Sequence, residues 1–383
     1  MLDVRIQLNP HPVAPADRAA TLARPVFGES FGDHMASMSW RDGSWGPLEL
    51  VPFGPLALSP ATLALHYGQS IFEALKAYRG PDGAAALFRP ATNARRFEVS
   101  ARRLAMPPLP EGTFELACGL VAAADRDWIP TDHGAALYVR PFMFASEAHL
   151  SVRPAHEYRF VVIASPVASY FGEHLSAISV AVETHDVRAT PGGTGAVKFA
   201  GNYAAGFAAH GRAGAAGHDQ VLWLDSTERR WVEELNAMNV VFVWDRDGRT
   251  VVSTPPLTGT ILEGVTRSSL LELAADQFAG GPPIDEVVEE PTSIDQLRAA
   301  LADGSLREMF ACGTAAVIAP IGTLVEGGVP RRVGDGRPGP VTTALRERLL
   351  AIQHGTGPDP HGWMRPVDRI LVDAGIDPHA VRP

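Results

Sequence analysis

Lysine is the residue that this chain nearly lacks. Among the 33 basic residues of the 383-residue sequence, only Lys76 and Lys198 are lysines, and the other 31 are arginines. A compositional preference for arginine explains the 31 but not the two exceptions, since arginine serves a solvated surface position equally well. The two lysines are therefore the first candidates for a chemical role.

Cysteine and long apolar runs are also scarce. The two cysteines, Cys118 and Cys312, are far apart and form no C-x-x-C pair, which argues against a disulfide framework, a zinc ribbon and thiol-disulfide regulation. No stretch approaches the roughly 18 apolar residues of a membrane span, and the opening MLDVRIQLNPHP lacks the pattern of a signal peptide. We expect a protein of the reducing cytoplasm that binds no membrane.

Excess positive charge is absent as well. The formal net charge is -10 and no dense cluster of basic residues occurs, so we expect no binding to nucleic acid. The chain contains no P-loop, no H-E-x-x-H and no G-x-S-x-G, which argues against nucleotide binding, a metal site and a hydrolase nucleophile. These exclusions favour chemistry on small molecules.

The hydrophobic pattern alternates between strands and helices, which is typical of an α/β protein. Residues 91–106 are predicted to form a helix with Thr92 or Asn93 as its N-cap. The other predicted elements are strands at 137–146, 158–167 and 220–225, two strands within 231–244, a helix at 266–278 and a strand, turn and strand within 308–322. The length fits about two domains. We place the first at 1–168, a linker at 169–180 and the second at 181–383.

Lys198 lies in GGTGAVKFAGNYAAGF, residues 192–207, among almost no other charges. Burial of a lysine amine favours its neutral, nucleophilic form, which is suited to Schiff-base chemistry. Lys76, in FEALKAYRG, has aromatic and charged neighbours that favour a strand edge or a helix surface. A Schiff-base lysine indicates pyridoxal 5'-phosphate, which further requires an acid at its pyridine nitrogen, a donor to its phenolic oxygen and a phosphate site.

Two of these requirements have candidates in short segments. WVEEL offers Glu233 and Glu234 on a strand, where alternate residues face opposite sides, so that one would point inward and the other would meet solvent. Tyr203 follows the lysine by five residues and could reach the same ring. A solvated glutamate pair and a core tyrosine are the alternative interpretations.

The phosphate site has candidates at a helix start. Val265 and Thr266 would present backbone N–H groups at the beginning of the helix at 266–278, and the Gly-Thr of CGTAA could add a further donor. An arginine would complete the site. The helix at 91–106 carries Arg95, Arg96, Arg102 and Arg103, which by themselves are typical of a solvated face.

With these groups in this order, the chain resembles the branched-chain amino acid aminotransferases of pyridoxal-phosphate fold type IV. The similarity extends over most of the chain, and ordered matches are more specific than any single motif. The matching segments are FGESFGDHMASMSW at 27–40, LHYGQSIFEALKAYRG, LYVRPFMFASE, GGTGAVKFAGNYA, DQVLWLD, EELNAMN, LEGVTR, FACGTAAVIAP and HGWM at 361–364.

The resemblance implies a role for individual residues. Lys198 would be the Schiff-base lysine and proton shuttle, Glu234 would bind the pyridine nitrogen with Glu233 as its outward neighbour, and Tyr203 would donate to the phenolic oxygen. The residues that would hold the phosphate are Arg96, Val265, Thr266 and Thr314. The residues that would bind substrate are Tyr138, Arg140 and the backbone at Thr314, Ala315 and Ala316 for carboxylates, and Phe27, Tyr67 and Phe72 for the side chain.

The resemblance also implies an α/β fold with a small N-terminal domain and a larger, barrel-like C-terminal domain, and a homodimer. The expected reaction is transamination of leucine, isoleucine or valine with 2-oxoglutarate, through a ping-pong mechanism. In an apolar pocket that must accept both an aliphatic side chain and a second carboxylate, Arg140 is the candidate donor to that carboxylate.

Departures from the family pattern keep alternatives open. Ala74 and Asn236 stand where glycine is common, Glu263 where proline is common, and Ser70 where a larger residue is frequent. The alternatives are an aminotransferase for a related aliphatic or modified amino acid, a D-amino acid transaminase or aminodeoxychorismate lyase of the same fold, and a non-catalytic relative. For the tail at 365–383, a subunit contact and a disordered end are both open.

Overall fold

The computed structural model describes residues 2–169, 175–276 and 281–382. The strands are β1 (Val4–Ile6), β2 (His34–Arg41), β3 (Ser44–Trp45), β4 (Leu48–Pro52), β5 (Ser70–Phe72), β6 (Leu75–Arg79), β7 (Ala85–Phe88), β8 (Ala136–Ala145), β9 (Tyr158–Val167), β10 (Ile178–Glu183), β11 (Gln220–Leu224), β12 (Val232–Leu235), β13 (Asn239–Arg246), β14 (Arg249–Thr254), β15 (Glu286–Glu289), β16 (Leu306–Gly313), β17 (Val317–Glu326), β18 (Val329–Arg332) and β19 (Met364–Pro366). The helices are α1 (Pro15–Ala23), α2 (Leu63–Tyr67), α3 (Pro90–Arg103), α4 (Thr113–Ala124), α5 (Ala200–Ala204), α6 (Phe207–Ala215), α7 (Val265–Ala275), α8 (Ile294–Asp303), α9 (Pro340–Gln353) and α10 (Val367–Asp373). Short 3₁₀ helices cover Arg126–Trp128 and Pro378–Val381.

The chain divides into two compact units. The first consists of Met1–Tyr170, Lys198–Ala200 and Ala351–Pro383, and the second of Phe171–Val197 and Gly201–Leu350. The C-terminal residues from Ala351 onward therefore lie with the first unit, which differs from the predicted boundary at 181–383. Within the predicted linker, residues 170–174 lie outside the described residues, and β10 already begins at Ile178.

The first unit contains a sheet with the strand order β1-β4-β2-β9-β8-β6-β7-β19, with β3 added on β2 and β5 on β8. All of its described pairings are antiparallel except that of β1 with β4. Helix α4, with the sequence TFELACGLVAAA, is apolar almost all round, and it is buried against β2, β8 and β9. An all-apolar helix is stable only inside a core, so α4 forms the centre of this unit.

Packing against α4 explains why the C-terminal tail joins the first unit. Val367, Ile370 and Leu371 of α10 are buried, and a Cβ atom built at Gly119 of α4 would lie only 2.9 Å from Ile370. Strand β19 also pairs with β7. The described residues of the tail are ordered, because its apolar side chains are part of the core of the unit, down to the buried Val381, and this contradicts a disordered end. The alternative of a subunit contact stays a prediction.

Lys76 occupies a different environment from the expected edge or surface. It lies on β6, between β7 and β8, with 2% of its surface exposed and with Tyr138 directly across the ladder. Burial, followed by the charges of His133 and Lys76, lowers the pKa of His354 to about 4, and the His354 Nε2 accepts the Gly134 N–H at 3.0 Å. The predicted edge or surface position of Lys76 was wrong, because aromatic and charged neighbours in the sequence do not show which strands will lie on either side of β6.

The second unit contains a mixed sheet with the order β12-β11-β10-β17-β16-β13-β14-β15, and β18 pairs with β17. Its parallel pairings join β10 to β11 and β17, and β14 to β15. Apolar side chains from these strands form its core together with Ile294, Leu297 and Ala300 of α8. Ser293 starts α8 with a capping box, in which its side chain and that of Gln296 satisfy each other's backbone N–H groups.

Most of the predicted elements near the candidate residues are confirmed. Strands β8, β9 and β11 lie within one residue of their predicted bounds. The strand pairs predicted within 231–244 and 308–322 overlap β12 with β13 and β16 with β17, each pair joined by a short turn. Helix α3 begins earlier than predicted, with Arg89 as its N-cap and Pro90 in its first turn, because the fixed φ of proline suits that position. None of the described helices is long and apolar enough to cross a membrane.

Candidate active site

Lys198 belongs to the first unit and is 9% exposed. Its backbone N–H donates to Ser100 Oγ of α3 at 3.0 Å, and its carbonyl accepts the Phe72 N–H at 3.1 Å. The Nζ atom lies 4.9 Å from the centroid of the Phe72 ring. Helix α3 and strand β5 therefore fix the backbone of this lysine, and its amine lies over an aromatic face, as expected for the predicted buried lysine.

Glu73 is a buried acid in this region that the sequence motifs did not single out. Both of its carboxylate oxygens accept bonds from Arg96, from Nε to Oε1 at 2.6 Å and from Nη2 to Oε2 at 2.8 Å. Burial acts to raise the pKa of Glu73, but Arg96, Lys198 and Asn93 outweigh it and hold the pKa below its ordinary value. The sequence does contain a signal that could have identified Glu73, because it is a charged residue between apolar residues in SIFEAL. The same kind of pattern identified Lys198.

Four of the predicted substrate residues are brought together in the first unit. Phe27 packs edge-on against Tyr138 with ring centroids 4.8 Å apart, and Arg140 Nη2 donates to the Tyr138 hydroxyl at 3.1 Å. The Arg140 guanidinium also lies 4.8 Å from the centroid of the Phe72 ring. A cation, a hydroxyl and aromatic faces on one side of a sheet can accommodate both an apolar chain and a carboxylate.

Tyr67 makes a different contact in the first unit. It lies at the end of α2 with 43% of its surface exposed, and its hydroxyl donates to the Leu150 carbonyl at 2.6 Å. The family resemblance implied a pocket that Tyr67 shares with Phe72; in the structure the left-handed Gly68 ends α2 between the two residues.

Glu234 lies in the second unit, on β12, with a defined set of partners. Its Oε2 accepts Asn239 Nδ2 at 2.8 Å and the Leu262 N–H at 3.2 Å, and its Oε1 lies 3.2 Å from Arg188 Nη2. Asn239 also donates to the Leu262 carbonyl at 2.9 Å. These contacts hold a buried carboxylate in one orientation.

Glu233 is buried too, which corrects the expectation that it would be an outward neighbour in contact with solvent. Glu233 and Glu234 are each 5% exposed. The segment around Thr260 covers the second face of β12, and Thr260 Oγ1 donates to Glu233 Oε1 at 2.5 Å. Burial raises the pKa of Glu233, opposed by the Thr260 bond and by Arg188. Strand alternation holds, but both faces of this strand are covered.

The residues of the second unit that are predicted to bind phosphate lie at the start of α7 and in one turn between two strands. Gly264 is the N-cap of α7 and provides no side-chain cap, so Val265 and Thr266 begin an 11-residue helix with their backbone N–H groups at its N-terminus. A Cβ atom at Gly264 would lie 2.0 Å from Asn239 Oδ1, so this position requires glycine. Thr314, Ala315 and Ala316 form the turn between β16 and β17, and Tyr203 lies on α5.

Thiol and metal chemistry have no support in the described residues. Cys118 and Cys312 are both free and buried, and burial raises the pKa of Cys312 to about 12 and that of Cys118 well above its ordinary value. No group of three or more His, Cys, Asp or Glu side chains in the described part of the chain is arranged to hold a metal ion.

Similar proteins were found at the level of family, sequence and structure. The family model described as Amino-transferase class IV matches residues 70–324. A probable branched-chain-amino-acid aminotransferase of Streptomyces coelicolor is 51% identical over 363 residues, which cover 94% of this chain and 98% of the relative. The branched-chain-amino-acid aminotransferase of Mycobacterium tuberculosis is 46% identical over 357 residues, which cover 92% of this chain and 95% of the relative.

Solved structures of branched-chain aminotransferases are also similar to this chain. A branched-chain amino acid aminotransferase from Escherichia coli matches with a TM-score of 0.67 at 27% identity, covering 87% of this chain and 99% of that one. A branched-chain aminotransferase from Thermoproteus uzoniensis, solved with norvaline, matches with a TM-score of 0.69 at 25% identity and the same coverage. The predicted α/β fold, fold type IV, is thereby confirmed. The chain belongs to the class IV aminotransferase family.

Proposed function

We propose that this protein is a pyridoxal 5'-phosphate-dependent aminotransferase that transfers the amino group of leucine, isoleucine or valine to 2-oxoglutarate, forming branched 2-oxo acids and L-glutamate. The observation that carries the proposal is the 46% identity to the branched-chain-amino-acid aminotransferase of Mycobacterium tuberculosis over 92% of the chain. Two buried, free thiols support a reducing compartment, and we place the enzyme in the cytoplasm.

The side chains of each unit fit this cofactor. The first unit offers a buried lysine for covalent attachment and Arg96, a guanidinium suited to phosphate. The second unit offers Glu234, a buried carboxylate suited to the pyridine nitrogen, and the start of α7, where no side chain occupies the cap position. These are the chemical groups that pyridoxal phosphate requires.

The first unit would supply the acid-base chemistry. Bound pyridoxal phosphate provides the electron sink that stabilises the carbanion left when the substrate loses its α-proton. Lys198 Nζ would remove that proton from the α-carbon as general base and would then return it, as general acid, to the cofactor carbon that keeps the amino nitrogen. The bonds from Ser100 and to Phe72 hold the lysine backbone in place while its amine moves.

The second unit would control charge on the cofactor ring. Glu234 would hold a proton on the pyridine nitrogen, and Asn239, Leu262 and Arg188 keep its carboxylate oriented for that bond. Tyr203 would donate to the phenolic oxygen. The N–H groups of Val265 and Thr266, with Thr314, would bind the phosphate.

Substrate carboxylates would be bound by the Tyr138 hydroxyl and by the backbone of Thr314, Ala315 and Ala316. Phe27 and Phe72 would contact the aliphatic side chain, and the role of Tyr67 in that pocket stays a prediction. Because the enzyme-bound cofactor would keep the amino group when the first 2-oxo acid leaves, and the second 2-oxo acid would then enter the same pocket, ping-pong kinetics are expected.

The experiment that tests this function is leucine-dependent formation of glutamate from 2-oxoglutarate by the purified protein. Initial rates at several fixed concentrations of leucine should give parallel double-reciprocal lines, the pattern of a ping-pong mechanism. D-alanine and aminodeoxychorismate are the controls for the other activities of this fold. The proposal fails if a substrate outside the branched-chain set is consumed much faster than leucine, isoleucine and valine.

Replacing Arg140 by alanine should separate the two substrates. Loss of its guanidinium removes the proposed partner of the second carboxylate of glutamate, so kcat/KM for glutamate should fall about tenfold or more beyond any fall for leucine. Separate half-reaction rates with each amino acid measure this difference. Arg159→Ala, which removes an arginine of the same sheet bonded to Ser37, is the matched control. Equal losses for leucine and glutamate would refute the assignment of Arg140.

We propose in addition that the enzyme is a homodimer. The supporting observation is four exposed apolar side chains in two segments of the first unit, Leu65 and Tyr67 on α2 and Leu150 and Val152 further along the chain, with exposures of 64%, 43%, 59% and 84%. The bond from Tyr67 to Leu150 joins the two segments. Monomers rarely leave such side chains together in water.

Light scattering after size-exclusion chromatography tests the dimer. The wild-type protein should elute as a dimer, and the double substitution Leu65→Asp with Val152→Asp should produce a monomer, because burying the new carboxylates in an interface is costly. Val372→Asp, at an exposed apolar residue of α10, should leave the dimer intact. A monomeric wild type, or a double variant that stays dimeric, would contradict the proposal.

A further inference from the structure

We propose that Glu73 is a positioning residue for the cofactor, which acts by holding the guanidinium of Arg96 at a fixed place relative to Lys198. The inference rests on the proposed function, since Arg96 has a phosphate to bind only if pyridoxal phosphate is the cofactor. Glu73 itself would touch neither substrate nor cofactor.

The contact between Glu73 and Arg96 is bidentate and dry. Nε and Nη2 of the arginine bond to the two oxygens at 2.6 Å and 2.8 Å, the Glu73 side chain is 0% exposed and that of Arg96 is 9% exposed. This pairing uses one edge of the guanidinium, and its planar, rigid fork then determines where the other N–H groups point. The carboxylate thus sets the orientation of the arginine.

The carboxylate is itself held by two further donors. Asn93 Nδ2 donates to Glu73 Oε2 at 2.7 Å, and the Ala74 N–H donates to the same oxygen at 3.0 Å. Asn93 also donates to the Ala74 carbonyl at 3.1 Å. Every one of these neighbours is a hydrogen-bond donor, so the position requires a group that accepts at both of its atoms, which is a carboxylate.

The same two elements hold Lys198. Asn93, Arg96 and Ser100 occur at helical spacings of three and four, so they lie on one face of α3, and Ser100 accepts the Lys198 N–H. Next to Glu73 in the chain, Phe72 donates its N–H to the Lys198 carbonyl. The backbone of Lys198 and the guanidinium of Arg96 are therefore both positioned by α3 and by residues 72–73.

Binding of pyridoxal phosphate, compared with pyridoxal, tests this role. Pyridoxal has the aldehyde but no phosphate, so a residue that acts through Arg96 should affect mainly the phosphorylated compound. For Glu73→Gln, whose amide nitrogen would face a donor, we expect the affinity for pyridoxal phosphate to fall on the order of tenfold to a hundredfold, with a much smaller change in the affinity for pyridoxal. Absorbance titration of the cofactor-free protein measures both affinities. Glu98→Gln, which breaks the exposed Glu98–Arg102 pair on the same helix, should change neither.

A double-substitution cycle separates positioning from a general structural effect. If Glu73 acts through Arg96, then Glu73→Gln should cost little further phosphate-dependent affinity in a protein that already carries Arg96→Gln. Equal losses for both compounds, or additive losses in the double variant, would overturn the proposal. Should Glu73→Gln not fold, Glu73→Asp retracts the charge by one methylene, and the same selective loss is expected. A wild-type protein that fails to bind pyridoxal phosphate would refute the proposed function itself.

Discussion

Replacing Lys198 by arginine is expected to abolish transamination, with a fall in kcat of about a thousandfold or more. Arginine keeps the positive charge and much of the length of the side chain, but its guanidinium stays protonated and neither bonds covalently to an aldehyde nor moves an α-proton. Steady-state turnover of leucine and 2-oxoglutarate measures the loss. The backbone bonds of residue 198 with Ser100 and Phe72 do not depend on the side chain, so the variant should fold.

Lys76→Arg is the matched control for this experiment, because it makes the same substitution at the second lysine of the chain, which is also buried. We assign no chemistry to Lys76 and expect the variant to keep its activity within about tenfold. Full activity in Lys198→Arg, or a loss in Lys76→Arg as large as in Lys198→Arg, would show that the lysine has been misassigned.

Glu234→Gln is expected to have the second largest effect, with kcat reduced about a hundredfold or more. Glutamine preserves shape but has no charge with which to hold a proton on the pyridine nitrogen, so the cofactor ring would be a weaker electron sink. The substitution also removes the ionic partner of Arg188, which lies 3.2 Å away, so a lower melting temperature is expected as well. Single-turnover rates with leucine at saturating cofactor measure the chemical effect separately from folding.

The neighbouring Glu233 provides the control for Glu234. Burial raises the pKa of Glu233, and glutamine has no charge for burial to penalise while it can still accept the bond from Thr260. Glu233→Gln should therefore change the single-turnover rate little. A larger loss of rate in Glu233→Gln than in Glu234→Gln would reverse the assignment of the two acids.

The sequence predicted the elements around the site well where local pattern determines them. Strands β8 and β9 are apolar runs bounded by proline or polar residues, and their predicted bounds agree within one residue. The buried environment of Lys198 was predictable from its apolar neighbours and from the rarity of lysine. In these cases the relevant signal lies within a few positions of the residue concerned.

Features that depend on distant contacts were not predictable in this way. The partners of Glu73 are 20 and 23 positions away, and no local pattern indicates that Asn93 and Arg96 will meet it. Thr260, which buries Glu233, is 27 positions away. The C-terminal tail joins the first unit because α10 packs on α4, more than 240 positions earlier.

The most direct test of the account is to reduce the protein with borohydride in the presence of pyridoxal phosphate and to map the modified residue by mass spectrometry. Reduction converts a Schiff base into a stable bond, and the chain offers only two lysines. We expect the cofactor on Lys198, and we expect leucine added beforehand to remove the label and 2-oxoglutarate to restore it. Attachment to Lys76, or no attachment in a protein that transaminates leucine, would contradict this expectation.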